Sequence, residues 1–381
     1  MNPLQELHDL DAPGTELTAE GLVRAGRDRV RRRRRAAMIS TTAAVALILT
    51  AGVAALAAVR PPVEPDPAPM YPQPTSSAPG CRAQWLPVPK GTETSQPLVD
   101  STGLWAAAEA DGGYSLVIWR DGAVAAEVPA LEHSMFSIVG ISATGSVLVA
   151  RAHRWRIITP GRSETVELSL PPDANPSGKA DVTGMNAAGD VVGYATFADG
   201  QRAMLWRHGD GGRPTVLATP EGLASAAFTI ADNGSIGGYV DDHKASRRPY
   251  VWRADGTGLV LPMPDDVPNG SVSELVGDRA VDFARGLWWQ LSEEPGGPEP
   301  QWLATGSGGG RVMAADGTIA VGTGGDAVLW GSGGTVRLPA QPGFERYYVS
   351  GMSADGRVIA GSAVDEAAAS AGRPLRWVCG A

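Results

Sequence analysis

The chain has 381 residues, with 32 basic and 41 acidic side chains and a net charge of −9. Two cysteines exclude a disulfide-dense scaffold, and no Cys-x-x-Cys or paired Cys/His spacing marks a structural zinc module. The 49 glycines and 30 prolines point to a turn-rich, all-β protein.

Residues 1–35 are polar and hold no core. They read as a disordered or marginally helical tail; the alternative is a short docking helix for a cytosolic partner, since Leu4, Leu7 and Leu10 share one face if helical and Thr18 could start a second helix running to Val30. Arg31 to Arg35 follow, and then residues 36–59, 24 residues without a charge. As a helix they reach about 36 Å, enough for a hydrocarbon core of about 30 Å. Residues 1–35 hold eight arginines, against Arg60 alone just past the span, which predicts a cytosolic N-terminus. A cleavable leader is the rival, because Ala55-Leu-Ala57 fits a cleavage site. Its charged and apolar parts would both be longer than the usual form. Residues 60–80, rich in proline, read as a semi-rigid spacer ahead of a domain over 81–381. Eight of the 32 basic and six of the 41 acidic residues lie in 1–35, leaving a net of −11 to the rest. That balance argues against nucleic acid as a partner of the ectodomain.

A repeat runs through the remainder. VDSTG ends at Gly103, ISATG at Gly145, MNAAG at Gly189, IADNG at Gly234, MAADG at Gly317 and MSADG at Gly356. The 83-residue gap after Gly234 holds a degenerate copy, with Leu275-Val-Gly-Asp278 at the turn and Leu287-Trp-Trp289 at the later strand. Seven copies of about 42 residues, each reading as four strands, predict a seven-bladed β-propeller. Trp119, Trp206, Trp252, Trp330 and Trp377 recur on the later strand and are expected to fill space between blades, capped by the arginine that often follows. The glycine suits a turn that needs φ > 0.

The last copy stops after its third strand, and the missing strand stands at the start, in Arg82-Ala-Gln-Trp85. The N-terminal strand should therefore complete the last blade and bring Cys81 beside Cys379. A disulfide there fits only a compartment outside the cytosol.

Gly184-Met-Asn-Ala-Ala-Gly189-Asp-Val-Val-Gly193, followed by Ala203-Met-Leu-Trp206, resembles the HAF repeat, a family of bacterial extracellular repeats. The resemblance covers about residues 99–377. It implies a propeller-like fold and an extracellular location but no defined chemistry. The family's His-Ala-Phe triplet is not kept: the matching positions read Arg202-Ala-Met204, Arg248-Pro-Tyr250, Asp326-Ala-Val328 and Arg373-Pro-Leu375.

No residue set reads as catalytic, and no cofactor or metal is expected. Gly351-Met-Ser353-Ala-Asp-Gly356 is one residue too long for a nucleophile elbow. His8, His133, His153, His208 and His243 show no paired spacing. Trp288 and Trp289 adjoin on one strand and must face opposite ways, so one indole is a candidate ligand contact. Residues 240–248 and 362–372 break the short-turn pattern and mark where a binding surface would be built. The expected function is a membrane-anchored, non-enzymatic binding or sensing module for an extracellular protein, peptide or glycan. The alternatives are a transmembrane regulator resembling an anti-sigma factor, with a cytosolic partner for residues 1–35, and a propeller-type hydrolase or lyase.

Overall fold

A computed structural model describes residues 76–380, except 79, 130–134, 152–153, 221–222, 242–245, 292–297, 304–310, 332–333 and 366–371. The candidate span 36–59, residues 1–35 expected to form a cytosolic tail, and four of the five histidines (8, 133, 153 and 243) lie outside the described residues. None of the described residues is helical, and no described helix is long and apolar enough to cross a membrane.

Seven antiparallel sheets follow one another along the chain, five of four strands and two of five. The five four-stranded sheets are simple up-and-down meanders that begin with their innermost strand; the two five-stranded sheets add strands from elsewhere in the chain, among them Thr323–Gly325 of blade 6, which pairs with the inner strand Arg346–Met352 of blade 7. Blade 3 is typical, with strands Ala180–Met185, Val191–Phe197, Gly200–Trp206 and Pro214–Val216. The degenerate copy forms blade 5, with Glu274–Val276, Arg279–Asp282, Leu287–Gln290 and Pro300–Trp302. The seven-bladed expectation is met.

Each blade is buried on both faces. In blade 3, Val191, Met204 and Trp206 pack toward blade 2, while Val192, Ala203 and Leu205 pack toward blade 4. Alternate residues on a strand point to opposite faces, which is why the second and third strands read as continuous apolar runs. Trp119, Trp206, Trp252 and Trp377 are 0–4% exposed. Their indole N–H groups donate to Pro87, Ser169, Ala218 and Pro339 carbonyls at 2.7–2.9 Å. Each acceptor lies just beyond the outermost strand of the preceding blade, so the indole both fills the gap and satisfies a connection carbonyl. Trp330 is only partly buried. The arginine after the tryptophan does not cap that packing. Arg120 instead stacks 5.3 Å from the centroid of Trp105, and Arg207 pairs with Asp190 at 3.3 Å.

The repeated glycines Gly103, Gly145, Gly189, Gly234, Gly317 and Gly356 have φ between 71° and 89°, the left-handed turn that glycine adopts without strain. These first turns are also tied from blade to blade. The Ala143 N–H donates to Ala187 C=O at 2.9 Å, Ala187 N–H to Asp232 Oδ1 at 2.8 Å, and Ala315 N–H to Ala354 C=O at 2.8 Å. Ala354 N–H continues the chain to Ser101 C=O at 2.7 Å, across the junction of the last blade with the first. The middle residue of the turn signature, alanine in four of the six copies and Ser101 or Asp232 in the others, thus sits at a blade-to-blade hydrogen bond. Ser353 is fully buried in such a turn, donating to Asp355 Oδ1 at 2.7 Å and accepting from Val358 N–H at 2.9 Å. Its hydroxyl belongs to the turn.

The ring closes as expected. Cys81–Trp85 is the outermost strand of blade 7, paired with Arg373–Cys379, and Cys81 is disulfide-bonded to Cys379 across 298 residues. One addition was not foreseen. Ser76–Ser77, at the end of the predicted spacer, pairs in parallel with Gly334–Arg337 as a fifth strand on blade 6. The folded domain therefore starts before Cys81, and its first residues span two blades.

Candidate functional site

The meander sorts the connections into two sets. First-to-second and third-to-fourth turns emerge at one end of each blade; second-to-third loops and the blade-to-blade connections emerge at the other. Residues 240–248 and 362–372 are both second-to-third loops, in blades 4 and 7. Both therefore open on the same face as the connections, and their described ends border cavities there.

The first cavity, of about 370 Å³, lies between blades 4 and 5. Its wall is Asp282, 1% exposed, whose carboxylate accepts from Ser271 N–H at 2.9 Å and Arg285 N–H at 3.0 Å. The Arg285 Nε donates to Asn269 C=O at 2.9 Å. Arg247 stacks 4.6 Å from the centroid of Tyr239, with its Nε 3.8 Å from the Asp241 carboxylate. Burial raises the Tyr239 phenol above its ordinary value, so it stays neutral and donates to Gln201 Oε1 at 2.7 Å. This is a rigid, charged corner.

Two further cavities meet at the seam where the chain ends join, and both are lined by Thr94 and Gly372. The larger, about 520 Å³, opens among the inner strands of blades 7, 1 and 2, with Tyr348, Ser350, Leu98 and Ile138 in its wall. The Ser350 hydroxyl donates to Pro97 C=O. Glu109 Oε1 accepts from Ile138 N–H at 3.0 Å, which fixes the carboxylate at the cavity wall. The smaller, about 410 Å³, runs beside Trp85, Pro87 and Arg373. The Arg373 guanidinium is held 4.2 Å from the centroid of Trp85 and 5.8 Å from that of Phe344, and the two rings are 4.9 Å apart.

Of the tryptophan pair singled out in the sequence, Trp289 is fully buried and donates to Pro262 C=O at 2.8 Å. This corrects its candidacy: the degenerate copy uses Trp289 in the same structural position as the other blade indoles. Trp288 faces the other way, as expected, but packs half-buried against the cluster of Val281 and Met313, with Arg279 at 5.6 Å. Neither lines a cavity on the loop-bearing face. The exposed indole of this blade is Trp302, 59% exposed on the outermost strand. Thr94, Glu109, Tyr348 and Arg373 were not singled out from the sequence. They come from a connection and three different strands, and no local pattern joins them.

On the inner strand of blade 5, burial pushes the Glu274 carboxyl up to about 7, against the pull of a 3.4 Å hydrogen bond from Met313 N–H. The folded chain therefore holds this proton from its ordinary value of 4.5 up to about 7, and stability falls as pH rises through that window. Glu274→Gln keeps an acceptor oxygen for Met313. It should be more stable than the parent at pH 8 by about 3 kcal/mol, seen as a higher melting midpoint, with the two alike near pH 4.5. A variant melting below the parent at pH 8 would contradict this.

No family model matches the chain, and no curated protein matches it. Solved structures do. The β-propeller domain of Cps50 (Swd1) from Myceliophteria thermophila is similar at 12% identity and a TM-score of 0.51, over 78% of this chain and 100% of that one. A catalytically inactive virginiamycin B lyase from Staphylococcus aureus, with quinupristin, is similar at 14% identity and a TM-score of 0.47, over 78% and 99%. The WD40 domain of SCAP from fission yeast is similar at 9% identity and a TM-score of 0.41, over 79% and 98%. Likeness at these identities speaks to fold alone, and the Cps50 domain, at a TM-score of 0.51, agrees with the β-propeller already described.

Proposed function

We propose that the chain is a single-pass, membrane-anchored extracellular β-propeller that acts as a non-enzymatic binding or sensing module. The observation that carries this reading is the concentration of cavities on the face that bears both irregular loops, while the opposite face carries tight turns hydrogen-bonded to one another. Rigid blades presenting variable loops on one side are suited to recognition. The extracellular placement rests on Arg31 to Arg35 ahead of residues 36–59, and on the Cys81–Cys379 disulfide, which persists in oxidising compartments. The inner strands carry Glu274, Arg311 and Arg346, so the axis is not a bare glycine, alanine and valine lining. Glu274 on the inner strand of blade 5 and Glu109 on the second strand of blade 1 each accept a backbone N–H of the next blade, so both carboxylates take part in blade-to-blade contacts.

The full chain in detergent should bind cell-wall fragments or secreted proteins saturably. Substitutions beside the seam cavities should abolish that binding, and substitutions in the first turns, such as Asp232→Asn, should not. Absence of saturable binding removes the basis of this reading. For the anchor, protease added to intact cells should digest residues 76–381 and spare 1–35; digestion of neither would contradict the topology.

A further inference from the structure

We propose that the seam cavity recognises the free amino terminus of a short peptide with small side chains, with Glu109 as the counter-ion. The proposal rests on the binding-module reading and names the ligand class for it.

Three observations converge. Thr94 is 4% exposed and its hydroxyl has no hydrogen-bond partner, yet it lines both cavities at their junction. A buried hydroxyl without a partner is costly in a folded protein, and this one belongs to the wall that the two cavities share, where a polar ligand group that reached it would lower that cost. Second, Glu109 is the one charged side chain lining the larger cavity. The hydrogen bond from Ile138 N–H orients its carboxylate. Among the described residues its second oxygen meets no protein donor. A fixed, partly desolvated carboxylate of this kind favours a cation, and an ammonium with three donors suits it. Third, the surroundings suit a peptide that follows such an ammonium. Gln96 offers an amide and Tyr348 a phenol for backbone groups, while Leu98 and Ile138 leave room for small apolar side chains. Beyond Thr94 the path leads to Arg373, whose guanidinium is already immobilised on Trp85 and can receive a carbonyl or carboxylate without further loss of freedom.

A sugar fits less well. Trp85 is the aromatic residue of the smaller cavity, and both Arg373 and Phe344 pack against its ring, so it offers no open stacking platform.

The test is calorimetric titration of the full chain in detergent with trialanine, N-acetyl-trialanine and chitotriose. Trialanine should bind saturably, and acetylation should weaken binding about tenfold or more. Glu109→Gln keeps an acceptor for Ile138 N–H. It should weaken trialanine about tenfold and leave the acetylated peptide unchanged. Thr94→Val removes only the unpartnered hydroxyl, so it should weaken trialanine without lowering the melting midpoint; that combination separates a ligand-directed hydroxyl from a structural one. Equal binding of the free and acetylated peptides, or no saturable binding of trialanine, overturns the proposal. Binding of chitotriose in place of trialanine also overturns it, while leaving the binding-module reading standing.

Discussion

Gly193→Ala is expected to destabilise the protein by about 3 kcal/mol or more, although it adds one methyl group. Gly193 lies on the second strand of blade 3, opposite a bulge between Val182 and Gly184 in the first strand. The bulge pushes the first strand's backbone toward its neighbour, so a Cβ on Gly193 would overlap the Asp181 carbonyl, with the Val182 Cα at 2.9 Å. Backbone cannot step aside as a side-chain tip can, and blades 2 and 4 press on the sheet from both faces. Gly238 faces Ala226 C=O across the bulge between Ala227 and Thr229, and Gly361 faces Tyr348 C=O across that between Val349 and Gly351. Alanine at either should act alike. Gly325→Ala is the control, since nothing lies within 4 Å of its Cβ position, and it should cost under about 1 kcal/mol. Denaturant midpoints decide the matter; a Gly193→Ala protein unfolding with the parent would mean that the bulges are not as described.

Cys379→Ala should produce the other large loss. The disulfide closes a loop of 298 residues, for which loop-closure entropy sets an upper figure of about 5–6 kcal/mol. The loss should fall below that figure, because the Cys81–Trp85 strand keeps its five paired positions with Arg373–Cys379. Gln341 also donates to Ala83 C=O at 2.9 Å, and the Trp377 indole still holds Pro339. The expected outcome is a protein that remains a propeller but opens first at blade 7. Hydrogen exchange should rise in Cys81–Trp85 before any other outer strand. Two thiols titrating in the denatured, unreduced parent would refute the pairing.

The same pair of predictions explains what could be read from the sequence. A blade needs a tight first turn, close approach of its first two strands and a filler between neighbours, and each need selects one residue type. Gly189, Gly193 and Trp206 spell these out within eighteen residues, so the period, the blade count and the closing strand were all legible. Trp155 was missed because it sits near the start of its strand rather than the end. It pairs with Ala150 and Leu168, and its ring meets Trp206 at 6.1 Å. The strand at Ser76–Ser77 was missed because two serines after a proline-rich stretch carry no apolar alternation.

The loop-bearing face was legible only as an irregularity in 240–248 and 362–372. Its chemistry was not, because the seam cavity joins residues far apart in the chain: Ser350 touches Pro97 across 253 positions. Closure of the ring brings them together. A pattern search finds what repeats, and a binding site on a propeller is built from what does not.

Hydrogen exchange on the full chain with and without saturating trialanine, mapped blade by blade, tests most directly whether recognition lies on the loop-bearing face. Exchange should slow in the connection around Thr94, at Glu109 and along Tyr348 to Ser350. No change is expected in the first turns at Gly145, Gly189 and Gly234, on the opposite face. Protection confined to those turns, with the seam cavity unaffected, would place recognition on the wrong side of the ring and contradict that expectation.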